Sequence, residues 1–194
     1  MSPTDTPSEP LPVNPGATLL PIARAAISSA LDHAQQASES ATWLQNLGAC
    51  FVTLTQRGQL RGCIGSLEAR RPLLADVKAN AVSAALHDPR FAPLRLAELA
   101  QTDIEVSVLS PMQPLTFASE ADALAQLRPG IDGIVFEYER YRSTFLPQVW
   151  EQLPSVADFI AHLKRKAGLP PGFWAPGVRL HRYTVHKYKE RDTP

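Results

Sequence analysis

The chain has 194 residues, 44% of them apolar and 20% charged, with nineteen basic side chains balanced by nineteen acidic ones. That composition excludes a wholly disordered chain and gives no net field to draw the protein onto nucleic acid or an acidic membrane. Two cysteines, Cys50 and Cys63, are too few for a disulfide scaffold and fit a reducing, cytoplasmic setting.

Met1 to Pro15 contains five prolines and few large apolar groups, so residues 1–15 read as a disordered arm ahead of a domain over 16–190. The arm has neither the basic nor the apolar region of a signal peptide, and no stretch is long enough for a membrane helix. From Thr18 to Gln36 apolar residues recur at threes and fours, the pattern of an amphipathic helix. Cys50–Thr55 and Gln59–Ile64 read as a hairpin closed by Gln-Arg-Gly, which puts Arg61-Gly62-Cys63 on a strand entering a Gly65-Ser66 bend.

Pro72 to His87 predicts a helix stopped by Asp88-Pro89, and its many alanines predict close packing on the strands. Thr102–Leu109 alternates as a half-buried strand, with Ile104, Val106 and Val108 on one face and Asp103, Glu105 and Ser107 on the other. Ser119 and Ser155 start helices ending near Leu127 and Ala167. Between those helices Ile131–Tyr138 and Tyr141–Leu146 form a second hairpin, with a helical turn after Pro147, and Arg179–Tyr188 is read as one last strand. Hairpins without regular βαβ alternation predict an α+β fold, a mixed and largely antiparallel sheet flanked by helices.

Cys63 lies between Gly62 and Gly65 with Arg61 beside it. Glycine lets the backbone bend and aim amides at an anion, and a guanidinium favours the thiolate that attacks electrophiles. The same residues also describe a small buried hydrophobe in a glycine-containing hairpin. Pairing Thr55 with Leu60 places Cys63 opposite Val52 and Cys50 on the diagonal, at about 7 to 8 Å between Cα atoms, too far for a disulfide. His87, in the last helical turn beside Asp88 and Arg90, is a candidate general base, or a histidine at rest on the helix dipole. It is expected to share a helix face with Asn80. Glu105 and Ser107 line a cleft or a solvated strand face. His181 and His186 fall on opposite faces of the final strand, and no spacing matches a metal site. Lys164-Arg165-Lys166 closes a helix, where the dipole suffices for three cations. The basic and aromatic tail His181–Lys189 reads either as a contact for single-stranded nucleic acid or as a charged edge strand.

Leu60-Arg61-Gly62-Cys63-Ile64-Gly65, Asp88-Pro89-Arg90-Phe91-x-Pro93, Glu105-Val106-Ser107-Val108-Leu109-Ser110 and Phe145-Leu146-Pro147-Gln148-Val149 together resemble the AMMECR domain family, from about Leu19 to Tyr188. The resemblance implies an α+β fold of two unequal lobes in one compact domain, with the cysteine turn near the cleft between them. It implies a site on Arg61, Gly62, Cys63, Gly65, Asp88, Arg90, Glu105, Ser107 and Gln148, with no established reaction. It also implies kinship with the A component of the bacterial AmmeMemoRadiSam set, hence Memo-type and radical S-adenosylmethionine partner proteins. Three functions stay open: a cysteine-dependent enzyme on a small anionic or electrophilic substrate, with Cys63, His87 and Glu105 as its catalytic groups; a noncatalytic adaptor; and, last, a nucleic-acid binder. None requires a cofactor.

Overall fold

A computed structural model describes residues 12–190. The elements run α1 (Gly16–Ala30), a 3-10 turn (Thr42–Gln45), β1 (Leu47–Gly48), β2 (Cys50–Gln56), β3 (Gln59–Gly65), β4 (Arg71–Pro72), α2 (Leu73–Leu86) and α3 (Leu96–Leu99). There follow β5 (Asp103–Leu109), β6 (Gln113–Pro114), α4 (Glu120–Ala125), β7 (Gly133–Tyr138), β8 (Tyr141–Phe145), a second 3-10 turn (Pro147–Glu151), α5 (Val156–Lys166), β9 (Arg179–Tyr183) and β10 (Val185–Lys189). This is the α+β class expected, and each of β2–β3, β2–β5, β7–β8, β7–β9 and β6–β9 is antiparallel. The chain divides into two compact units, residues 110–185 and the remainder.

The first unit is a four-stranded sheet of order β10-β5-β2-β3, with a small β1–β4 pair. One face of the sheet, made by Cys50, Val52, Leu54, Ile104, Val106 and Val108, packs with α1 and α2 in a single core. Helix α1 stops at Ala30, short of the Gln36 that its periodicity suggested, because Asp32 takes a positive φ of 58° and Ser28 Oγ donates to the His33 carbonyl at 2.6 Å. The β2–β3 turn is Arg57-Gly58, with φ of 50° and 77°, the mirror-image geometry that matches strand twist. Of the arm read from the sequence, 1–11 lie outside the described residues, while Pro15 is buried and its carbonyl accepts from Thr18 and Leu19 at the start of α1.

Glu190 closes this unit. Its carboxylate takes both Arg24 Nε (2.6 Å) and Nη2 (2.5 Å), and also the amide of Ile104 (2.9 Å), while Arg24 reaches the carbonyls of Leu99 and Thr102. Glu190→Ala therefore leaves the Ile104 amide without its acceptor and Arg24 with carbonyl partners alone. We expect a loss of about 2 kcal/mol in urea unfolding; an unchanged midpoint would show that water replaces the carboxylate without cost.

The second unit is a sheet of order β6-β9-β7-β8 with α4 and α5. Ile134, Phe136 and Leu180 meet Phe159, Ile160 and Leu163 of α5, and Trp150 stacks on Phe159 at 3.7 Å between ring centres. Ser119 and Ser155 cap α4 and α5 as the sequence indicates. Lys164 is not a solvent-facing cation at rest on the helix dipole: it is 2% exposed, bonds Glu120 at 2.6 Å and lies over the Trp174 ring.

The single strand expected over Arg179–Tyr188 is two. Thr184 and Ser110 exchange hydrogen bonds, N–H to carbonyl and N–H to hydroxyl, both at 2.9 Å, and the ladder breaks there. β9 stays in the sheet with β7, and β10 joins β5. His181 and His186 are thus on strands of different sheets rather than on opposite faces of one.

Candidate functional site

The first unit's hairpin carries a bulge. Thr55 pairs with Leu60 as expected, but Leu54 then pairs with Gly62, so Arg61 is an extra residue on β3. Cys63 consequently faces Thr53 rather than Val52. Cys50 points into the helix-packed core and Cys63 to the opposite face, and both thiols are free. The absence of a disulfide holds, although the diagonal geometry inferred for it does not.

Each flank of Cys63 is consumed by packing. A Cβ on Gly62 would fall inside the carbonyl oxygen of Ala84 on α2, and one on Gly65 inside the Phe51 ring. These glycines permit close approach and do not cradle a ligand. The Cys63 amide donates to Asp88 Oδ2 at 2.8 Å, and its carbonyl accepts from Arg90 Nη2 at 3.2 Å. Asp88 and Arg90 are themselves paired at 2.6 Å. One ion pair therefore satisfies both backbone groups of Cys63 on the free edge of β3, as a neighbouring strand would. The Arg90 guanidinium and then the Cys63 amide hold the Asp88 carboxyl well below the usual carboxylate range, against its burial.

Arg61 does not reach the thiol. Its guanidinium bonds Glu98 Oε1 at 3.2 and 3.3 Å and the carbonyl of Ala92 at 2.8 Å. The amide of Arg95 and the Arg61 guanidinium keep the Glu98 carboxyl low, opposed by burial. The anion cradle that Arg61 and the Cys63 amide suggested in sequence is occupied by the protein's own carboxylates.

His87 is exposed and leaves the helical backbone, with φ of −126°, while Asn80 is buried. They do not share a face, because α2 ends at Leu86 and the seven-residue helical repeat does not extend past it. Asp88, the carboxylate next to His87 in sequence, is turned to Arg90 and Cys63.

What remains is the sheet face away from α1 and α2. The Thr53 hydroxyl donates to Cys63 Sγ at 3.3 Å. Across β2, Thr53 pairs with Glu105 of β5, so Cys63, Thr53 and Glu105 form one row. Interstrand spacing puts the outer two about 10 Å apart at Cα. Ser107 Oγ donates to Glu105 Oε1 at 3.0 Å, and Lys189 lies 3.6 Å from Oε2. Cys63 is half-buried, whereas Cys50 is fully buried and burial, reinforced by Asp76, pushes its thiol up. Gln148 is exposed on the second 3-10 turn, in the other unit.

Sequence reading missed Thr53, Glu98 and Asp76. Asp76, 1% exposed, gathers Cys50 N, Ser66 Oγ, Arg71 Nε and Asn80 Nδ2 at 2.7 to 2.9 Å and ties the Gly65-Ser66 bend to α2. An acid in the first turn of a helix was the one available signal.

The family model for AMMECR1 matches residues 20–188. The chain belongs to the AMMECR1 family. It is 37% identical over 190 residues to a protein of Methanothermobacter thermautotrophicus, covering 93% of this chain and 97% of that one. A Thermotoga maritima protein is 37% identical over 141 residues, 72% of this chain and 76% of its own. The crystal structure of an uncharacterized protein from Pyrococcus horikoshii superposes with a TM-score of 0.73 at 30% identity, covering 90% of this chain and 91% of that one. Among the described residues of this AMMECR1-family chain, no group of three metal-ligating side chains occurs and no helix is long and apolar enough to cross a membrane.

Proposed function

We propose that the Cys63 thiol is the working group of this AMMECR1-family domain, acting on a small electrophile held against the Thr53–Glu105–Ser107 face. The observation carrying this is the division of labour in the motif. Gly62, Gly65, Arg61, Asp88 and Arg90 are all spent on packing or on fixing the backbone, which leaves the half-buried Cys63 thiol on the sheet face away from α1 and α2, beside the Thr53 hydroxyl. A thiol on a backbone locked at both its amide and its carbonyl is preorganised for attack, since its position costs nothing further on binding. In the reaction the sulfur adds to an electrophilic carbon as that carbon's π bond breaks, the thiol proton leaves to solvent and a proton returns to the atom that takes the π electrons, while the Thr53 hydroxyl donates to the sulfur and steadies its charge. A carboxylate on this face and the internal pairing of Arg61 favour a neutral electrophile over an anion. The family resemblance supports placing the step in a modification pathway with Memo-type and radical S-adenosylmethionine proteins.

A noncatalytic binding domain is the second reading. It is favoured by one observation: among the described residues no histidine bonds the thiol, and His87 is turned to solvent.

Alkylation of the native protein with iodoacetamide, followed by intact mass, tests the first reading. Cys63 should take one adduct while Cys50 stays unmodified until the chain unfolds. Thr53→Val should change the Cys63 rate severalfold without altering the melt. A Cys63 that reacts only after unfolding sinks the thiol reading and leaves the binding one.

A further inference from the structure

We propose that the shallow groove along Arg90–Glu98 is a docking surface for an extended acidic peptide segment carrying apolar side chains, contributed by a protein partner. The groove has a volume of about 490 Å³ and is lined by Arg61, Phe91, Ala92, Pro93, Arg95 and Glu98. That is room for a few side chains, not for a folded domain.

Its charge is unbalanced. Arg61 and Arg95 line it and Arg90 lies over the lining Phe91, three cations against the two carboxylates they bond, Glu98 and Asp88. Both carboxylates are saturated, Asp88 by Arg90 and the Cys63 amide, Glu98 by the Arg95 amide, Arg61 and Gln56. The Arg95 side chain is 85% exposed, and its own contact with Glu98 is long, 3.4 Å. It is free to fork onto a second carboxylate.

The rim is apolar. Ala92 and Pro93, both exposed, and the half-buried Phe91 line it, and Leu96, which follows Arg95 in α3, is 44% exposed. A lone exposed leucine requires no explanation; exposed apolar lining beside surplus guanidinium matches a peptide that alternates acid and hydrophobe. A nucleic acid would use the charge but not the aliphatic lining, and a single strand needs open aromatic faces for stacking. Phe91 is the sole aromatic lining residue, and the Arg90 guanidinium sits over its ring at 5.5 Å.

The probe is a fluorescein-labelled peptide of alternating glutamate and leucine, read by anisotropy on the full chain beside its lysine–leucine counterpart and a labelled oligouridylate. The acidic peptide should bind, with affinity falling about tenfold in Arg95→Glu and again in Leu96→Asp while their melting curves match the parent. Absence of binding, equal affinity for Arg95→Glu, or equal binding of the lysine peptide overturns the proposal. Stronger capture of oligouridylate also overturns it and makes the surface a polyanion site. Cys63 alkylation should be unchanged in both variants, so failure here is separable from failure of the thiol reading.

Discussion

Replacing Gly62 with alanine should destabilise the protein more than any other single methyl added to the first unit's sheet. The new Cβ meets a carbonyl oxygen of α2, at Ala84, rather than a side chain that can swing aside. Relief requires moving α2 away from β3, and the helix is tied down elsewhere. Asp76 and Asn80 bond the sheet through Cys50, while Val77, Ala81 and Ala84 are buried in the core. Overpacking against side chains costs about 1 to 3 kcal/mol, and a backbone clash belongs at or above the top of that range. For a chain of this size about 3 kcal/mol is roughly a 10 °C fall in melting temperature. Gly172→Ala, where an added Cβ meets nothing within 4 Å, is the matched control and should melt like the parent. A Gly62→Ala protein that also melts like the parent would mean that β3 and α2 are not held at this separation.

Asp88→Ala should produce the second large effect. It removes the acceptor for the Cys63 amide and the partner of Arg90 at a side chain only 2% exposed. Arg90 is half exposed and regains water, so the ion pair itself counts for little. The stranded amide and the vacated buried volume account for an expected loss of about 2 to 3 kcal/mol at neutral pH. Asp88→Asn keeps an oxygen for the amide and should fall between parent and alanine. The pH dependence has a definite sign. Because folding depresses the Asp88 carboxyl, its contribution is complete above the ordinary carboxylate value of about 4 and disappears as pH falls through the lower folded value. Urea midpoints of parent and Asp88→Asn should therefore differ at neutral pH and converge only in strong acid. A constant gap down to the lowest accessible pH would show that the carboxylate charge plays no part. Alkylation of Cys63 in the same variants reports whether freeing its backbone changes the presentation of the thiol.

The two effects share an origin. Gly62 lets β3 sit against α2, and the residues immediately after α2 turn back to hold Cys63 from the open edge. Sheet, helix and return segment thus converge on one residue. The candidate site is in this sense a consequence of packing, with its chemistry confined to the half-buried sulfur and the polar row beside it.

Much of this was legible locally. Arg57-Gly58 between two β-rich runs announced the hairpin, the alternation of Ile104, Val106 and Val108 announced the face of β5 turned to the core, and Ser119 and Ser155 announced their helices. Each is decided within a few residues by backbone preference or by the period of burial, so the α+β class followed from the chain alone. Partners distant in sequence were decided only in three dimensions. The bulge at Arg61 moved Cys63 from Val52 to Thr53; Glu98 claimed Arg61; Asp88 claimed the Cys63 amide; Thr184 sent one apparent strand into two sheets. A charged side chain bonds whichever group the fold brings within about 3 Å, and no local periodicity encodes that distance. Sequence by itself determined the two hairpins, β5 and the principal helices and singled out Cys63, while tertiary packing decided which of the surrounding charges are occupied and which remain to meet a ligand.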